Sequence, residues 1–393
     1  MTEDQDVLLV AARPYDLSDA SFDGFVTHHA RVLDLLQTRY RIRLLLLRPQ
    51  HDQSQVRANL REAVIDDVAL PELATSRSAR LRRALGLRRG APLSLASRQL
   101  SDAVRRSGAS RAVTLGPWLG SEYEPIYRVL PTMHFYEEDL NAMPENAPQS
   151  LQARLLRRLE DGIQRHARSQ PKWVVFIGLA EEKPARRRYA KSHLLWHPYL
   201  LPQNAWPLAS SASHGTHVLV VGQFAQPRNA EGLQQVLDAL IRLPVPPKVK
   251  LVSAAGTHPC LQPHLDSGAL VVEANSGCLY ETYRSAAVTI VPARRVSGIK
   301  TTVLQAWAAG CPVVCFLVSA SSVGPFAASC VLHAPTPEDL AREIVALVDN
   351  QERREQLSDL GRRAMERYFD PRLREEELLA AVRSLTSGHA GPR

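Results

Sequence analysis

Ile290-Val291-Pro292-Ala293-Arg294-Arg295-Val296-Ser297-Gly298-Ile299-Lys300-Thr301-Thr302-Val303-Leu304-Gln305-Ala306-Trp307-Ala308-Ala309-Gly310-Cys311-Pro312-Val313-Val314 is the stretch on which the fold turns. It continues an apolar β run, Val288–Val291, that ends at Pro292 and gives way to a polar loop. Thr301–Ala309 has helical periodicity, Ser297 reads as its N-cap, and Gly310 with Pro312 marks its stop. A second β run, Val313–Leu317, follows. A strand, a helix and a strand in this order read as one unit of a parallel sheet.

The same alternation extends in both directions. Further strands are expected at Val7–Ala11, Ile42–Leu47, Ala112–Leu115, Thr132–Tyr136, Val174–Ile177, Val218–Val221, Val249–Ser253 and Leu270–Glu273. Several are almost continuously apolar, as strands covered by helices on both faces should be. Helical patterns lie between them at Thr27–Thr38, Leu151–His166, Ala230–Arg242 and Pro337–Leu347, with a last one at Pro371–Leu385. The series restarts once, after the Pro/Ser/Gly-rich residues 199–216, which read as a linker. The expectation is therefore a doubly wound α/β domain over 1–198, a second over 217–370, and a terminal helix with a low-complexity tail over 371–393.

Composition narrows the function classes. Of 393 residues, 45% are hydrophobic and 22% charged, the balance of a chain that buries a core. No apolar run is long enough to span a bilayer, and the acidic opening Met1–Asp6 lacks the basic region of a secretory signal; a cytoplasmic location is expected. The five cysteines form no Cys-x-x-Cys pair and are read as reduced, packed thiols rather than a disulfide frame or a metal site. The net charge of +8 is carried almost entirely by arginine, most densely over 77–89. That segment has no interleaved aromatic residues for base stacking, which argues against nucleic acid. A solvated helix face and peripheral contact with an anionic membrane surface both fit it.

The chemistry is concentrated after two strands. Downstream of Val288–Val291, the backbone amides of residues 298–302, opened by Gly298, face no obligatory partner at a helix start, where the dipole favours an anion. Lys300 has the wrong sign for that helix end unless a phosphate sits there too. Downstream of Val218–Val221, Gly222 keeps the turn open, Gln223 follows, and Arg228 precedes a helix with a guanidinium that can fork two bonds to phosphate oxygens.

These two segments resemble the donor site of the family-4 retaining glycosyltransferases. That family's pattern is Pro-x-x-x-Glu, then Glu-Ala-x-Ala-x-Gly-x-Pro-Val-Val, preceded by Val-Gly-Arg-Leu-x-x-x-Lys. The match is good through Gln305-Ala306-Trp307-Ala308-Ala309-Gly310-Cys311-Pro312-Val313-Val314. The resemblance implies a GT-B fold: two facing Rossmann-like domains, with the last helix crossing back to the first. It also implies a nucleoside-diphosphate sugar as donor, a hydroxyl-bearing acceptor, retention of anomeric configuration, and no metal or other cofactor. By the same resemblance Gln305 stands where a glutamate meets the ribose, Ser297 where a glutamate holds the sugar, Gln223 where an arginine grips the diphosphate, and Arg228 in place of the lysine. Gly298, Ile299, Lys300 and Thr301 complete the donor loop. Asn275 becomes the candidate for the nucleobase edge, although an Asx-turn explains it equally. In the first half, Gly24 matches the glycine loop that approaches donor and acceptor. Glu138 and Asp139, after Thr132–Tyr136, become candidates for holding sugar hydroxyls or taking the acceptor's proton. His134, in mid-strand, reads as a packed core residue. The departures at Ser297 and Gln305 motivate one alternative, a GT-B auxiliary or binding protein with a degenerate catalytic site.

Overall fold

The computed structural model describes residues 6–12, 24–49, 64–70, 91–115, 120–136, 165, 169–202, 205–253, 256–273, 278–294 and 298–387. They form two units, one of residues 1–177, 181–197 and 372–393, the other of residues 178–180 and 198–371. Each is built on one all-parallel sheet.

The first sheet contains β1 (Val7–Ala12), β2 (Arg41–Pro49), β3 (Val64–Leu70), β4 (Arg111–Thr114), β5 (Thr132–Tyr136), β6 (Trp173–Phe176) and β7 (His193–Trp196), ordered β3-β2-β1-β4-β5-β6-β7. Helices α1 (Gly24–Gln37), α2 (Ala91–Arg106), α3 (Gly120–Tyr127) and α4 (Glu182–Arg188) belong to this unit. Successive residues of a strand face opposite sides, and β1 is apolar on both. Leu8, Val10 and Ala12 pack with Val32, Leu33 and Leu36 of α1. Leu9 and Ala11 pack with Leu100, Ala103 and Val104 of α2 and with Tyr123 and Ile126 of α3. Helices on both faces are what an all-parallel sheet requires, since neither face can be left to water.

The second sheet contains β8 (Val218–Gly222), β9 (Val249–Ser253), β10 (Leu270–Glu273), β11 (Val288–Val291), β12 (Val313–Phe316) and β13 (Leu332–Ala334), ordered β10-β9-β8-β11-β12-β13. Its helices are α5 (Pro227–Leu240), α6 (Gln262–Asp266), α7 (Leu279–Arg284), α8 (Thr301–Ala308), α9 (Leu317–Val323), α10 (Pro337–Val348) and α11 (Gln351–Tyr368). α8 packs close against α11: a Cβ on Gly361 would lie 2.4 Å from the Trp307 ring, so only glycine admits that buried indole. Gly310 ends α8 with φ 68°, the left-handed turn that favours glycine.

Of residues 199–216, expected as a linker, 209–213 run along the second unit. Ala209 N–H donates to Ala308 O (2.8 Å), Ser213 N–H to Gly310 O (2.7 Å), and Arg284 Nη1 to Ser211 O (2.7 Å). The closing helix α12 (Pro371–Arg383) returns to the first unit, where Leu378, Leu379, Val382 and Leu385 join the α1 side of the core. Its carboxyl end is fastened by cations, as helix C-termini favour. Lys172 Nζ donates to Ser384 O (2.5 Å) and Ser387 O (2.9 Å), and Arg111 Nη1 reaches Val382 O (3.5 Å). No helix among the described residues is long and apolar enough to cross a membrane.

Candidate functional site

In the second sheet the strand order reverses between β8 and β11, with β9 and β10 to one side and β12 and β13 to the other. Loops leaving the carboxyl ends of such neighbouring strands diverge and open a crevice, where doubly wound sheets bind ligands. Thr289 is level with Leu219, so continuing the parallel register puts Pro292 level with Gly222. The loops after these residues lead into α5 and α8. Neither helix carries an acidic residue in its first turn, so no carboxylate offsets the positive end of either dipole. α5 can lie against the end of β11 only because residue 232 is glycine: a Cβ there would sit 2.1 Å from Pro292 O. Arg294 ties the two segments further, donating to Gln235 Oε1 (2.6 Å) while its guanidinium lies over the Phe316 ring at 5.1 Å.

On the β8 side the turn is closely fastened. Phe224 N–H donates to Ser253 Oγ (3.4 Å), and His258 N–H donates to Phe224 O (2.7 Å). Gln226 Nε2 donates to Gln223 Oε1 (3.0 Å) and Asn229 Nδ2 to Gln223 O (2.8 Å). Gln223 thus uses its carboxamide oxygen to hold the loop onto α5. Arg228 is the second residue of α5, and its side chain lies outside the described residues.

On the β11 side the structure corrects one expectation. The N-cap of α8 is Lys300 (φ −79°, ψ 96°) rather than Ser297, and it makes no side-chain cap bond. Gly298 sits in the left-handed region (φ 58°) and Lys300 is still extended, so the chain enters helical conformation only at Thr301. Tertiary support fixes that start. Ser319 Oγ of α9 donates to Ala293 O (2.9 Å), Ser322 Oγ donates to Ser319 O (2.7 Å), and Ser322 Oγ accepts Lys300 N–H (3.3 Å). Gly178 packs against the same loop, with a Cβ there falling 2.3 Å from Gly298 O. Of the first amides of α8, Lys300's goes to Ser322 and Val303's bonds to Lys300 O (3.0 Å). Those of Thr301 and Thr302 have no hydrogen-bonding partner among the described residues. The anion cradle expected over 298–302 therefore narrows, within the helix itself, to Thr301 and Thr302, with Gly298, Ile299 and Lys300 half-buried beside them.

Gln305 lies one helical turn beyond Thr301, on the same face. Its Oε1 accepts a bond from Tyr283 Oη of α7 (3.2 Å). Tyr283 is fully buried, its ring meeting Trp206 edge-on with centroids 5.8 Å apart. Burial raises its pKa above the ordinary phenol value, and the neighbouring Cys311 adds to the effect, so the hydroxyl stays protonated. Neither Tyr283 nor the serines of α9 stood out in the sequence as site residues. The serine repeat at 319, 321 and 322 is the only trace they leave there.

All five cysteines are free thiols, and Cys278 is exposed rather than packed. Burial pushes Cys311 up to about 11 and Cys315 up to about 12, leaving both inert as nucleophiles at neutral pH.

In the first unit Gly24 heads α1. Glu138, Asp139, Asn275, Ser297 and the arginine segment 77–89 lie outside the described residues. His134 is buried, its Nδ1 2.8 Å from Thr114 Oγ1. Among the described residues of this unit it is one of four buried histidines, with His28, His29 and His197; the rings of His28 and His197 have centroids 5.5 Å apart. Burial lowers every one of these pKa values, to about 3 for His29 and His134 and about 4 for His197, with His28 also held well below its ordinary value.

Residues 215–350 match the family model described as glycosyl transferases group 1. No curated protein matches the chain by sequence. Among solved structures, the chain is similar to sucrose-phosphate synthase from Thermosynechococcus elongatus, at 14% identity and a TM-score of 0.69 over 98% of this chain and 100% of that one. A glycosyltransferase from Rickettsia africae is similar at 10% identity and TM-score 0.68, again over 98% and 100%. Anabaena HepE in complex with UDP and glucose is similar at 12% identity and TM-score 0.64, over 97% and 100%. The group 1 match falls on the second unit, which holds the β8/β11 switch point, and the two all-parallel, doubly wound sheets give the chain the GT-B fold of these solved structures.

Proposed function

We propose that the protein transfers a sugar from a nucleoside-diphosphate donor to a hydroxyl acceptor with retention at the anomeric carbon, and that it needs no metal to do so. The observation that carries this reading is the start of α8, where the amides of Thr301 and Thr302 lie beyond Gly298 at the switch point of the second sheet. Those donors, the helix dipole and the cations Lys300 and Arg228 suit a diphosphate. The HepE complex binds UDP and glucose, which favours a nucleotide-sugar donor here. In the proposed step the bond from the anomeric carbon to the diphosphate oxygen breaks while the acceptor oxygen bonds to that carbon from the same face. The acceptor's proton passes to the departing phosphate oxygen. The protein supplies positioning and preorganised positive potential for the charge that develops on the leaving group. Glu138 and Asp139 are assigned to the acceptor hydroxyl. A cytoplasmic location, with peripheral membrane contact through 77–89, belongs to the same proposal.

The test is incubation with a panel of nucleotide sugars and hydroxyl acceptors, following nucleoside-diphosphate release and mass gain on the acceptor. Arg228→Ala and Lys300→Ala should each lower turnover or donor affinity by roughly one to two orders of magnitude, the scale of one lost charge-assisted contact. Nucleotide binding without release for any pair would instead favour the auxiliary protein to which Gln305 and Ser297 point.

A further inference from the structure

Gln305 is an amide in a place where its two ends are not equivalent. Its Oε1 accepts from Tyr283, a residue with no exposed surface. A buried phenol must dispose of one proton, and a buried hydroxyl left unbonded is costly. Among the described residues the only hydrogen bond recorded for Tyr283 Oη is the one to Gln305 Oε1. The direction of that bond is therefore fixed by the phenol: the carbonyl end of Gln305 turns to α7, and Nε2 is the end left for anything in the crevice. Tyr283 itself cannot swing. Its ring is held edge-on to Trp206, and α7 continues into Ser285 and Ala286, which the chain at 213–215 pins in place. His214 N–H donates to Arg284 O (3.3 Å), and a Cβ on Gly215 would collide with Ser285 O at 1.7 Å. Gln305 follows Thr301 by four residues, a rise of about 6 Å, which is within reach of the ribose of a ligand whose diphosphate sits on the first amides.

We infer that Tyr283 is a positioning residue that locks the Gln305 carboxamide so that Nε2 donates a hydrogen bond to a ribose hydroxyl oxygen. The inference rests on the diphosphate reading of α8. It predicts a ribose contact made by a donor, whose strength depends on a residue that does not touch the ligand. A carboxylate at 305 would not need the lock. It has two equivalent oxygens, one for Tyr283 and one for a ribose hydroxyl, and no wrong way round.

The test is calorimetric titration of the full chain with UDP, GDP and ADP, and then with the 2′,3′-dideoxy form of whichever binds tightest. The wild-type protein should prefer the ribonucleotide. Tyr283→Phe should cut that preference by roughly three- to tenfold, the range of one net hydrogen bond, with little change in affinity for the dideoxy form. In a Gln305→Glu background, Tyr283→Phe should leave the preference unchanged, and this arm separates amide orientation from general damage to α7. If Tyr283→Phe weakens both nucleotides equally, or acts equally in the Gln and Glu backgrounds, Tyr283 is merely structural and the inference is wrong. A wild-type protein that binds diphosphates without any ribose preference overturns the Gln305 contact while leaving the diphosphate site intact. One that binds no nucleoside diphosphate overturns both.

Discussion

Lowering the pH from 7.5 to 5 should unfold the first unit well before the second. His28, His29, His134 and His197 are all buried there, and burial is the leading cause holding each below the ordinary histidine value of 6.5. Positive neighbours add to it, Arg188 for His134 and Arg374 for His197. In the unfolded chain the rings take up protons as pH falls through 6.5, while the folded chain resists until about 3 to 4. The unfolded state thus binds more protons across this window, and stability falls with pH. At pH 5 the cost is set by the unfolded pKa alone, at about 2 kcal/mol per ring. His29, His134 and His197 together cost about 6 kcal/mol, and His28 acts in the same sense. That is comparable to the whole stability of a typical domain. The assay is hydrogen exchange resolved by peptide at pH values from 7.5 to 5, corrected for intrinsic exchange rates. Protection in β1, β4 and β5 should collapse while β8, β11 and β12 remain protected. His29→Leu, which removes one titrating ring, should flatten the pH dependence by about 2 kcal/mol between pH 7.5 and 5. Equal loss of protection in both units, or a pH dependence untouched by His29→Leu, would refute the reasoning.

Two further outcomes follow from close contacts. Gly178→Ala places a methyl against Gly298 O; overpacking of about 1–3 kcal/mol, displaced onto the loop proposed to hold the donor, should weaken UDP binding roughly five- to hundredfold with the fold intact by circular dichroism. Undiminished UDP affinity would mean that the loop is not part of the site. Leu378→Ala removes a fully buried side chain from α12 and should cost about 2–5 kcal/mol. Protease cleavage should then rise in the first unit and not within 217–350; a uniform rise would show that α12 does not belong to the first core.

The strands that a reading of the sequence missed share one physical feature. β3, β7 and β13 are all edge strands, and of the four edges only β10, with its apolar Leu270-Val271-Val272, was legible. A central strand is buried on both faces and must be apolar throughout, whereas an edge strand carries no such demand. β3 holds Asp66 and Asp67 in its middle, and β7 and β13 are short, each with a histidine. α11 was missed for a related reason. Its buried stripe is Leu357, Ser358, Gly361, Ala364 and Met365; the small middle of that stripe, where Gly361 admits Trp307, is too weakly apolar to show periodicity among so many charges.

The candidate site divides in the same way. The candidates Gly298, Lys300 and Thr301 were legible from a local pattern, a helix start after a buried strand, and Gln305 from a resemblance to a family motif. The true N-cap was not, because α9 sets it through Ser319 and Ser322, and neither was the Tyr283 bond, which joins residues 22 positions apart. Contacts made between elements leave no periodic signal for a reader of one sequence.

A structure of the protein soaked with UDP tests the central claim most directly. A diphosphate oxygen should lie about 2.7–3.2 Å from the backbone nitrogen of Thr301 or Thr302, with the Lys300 or Arg228 side chain on the same group. A nucleotide seated elsewhere, or those two amides already capped by the protein's own side chains, would contradict it.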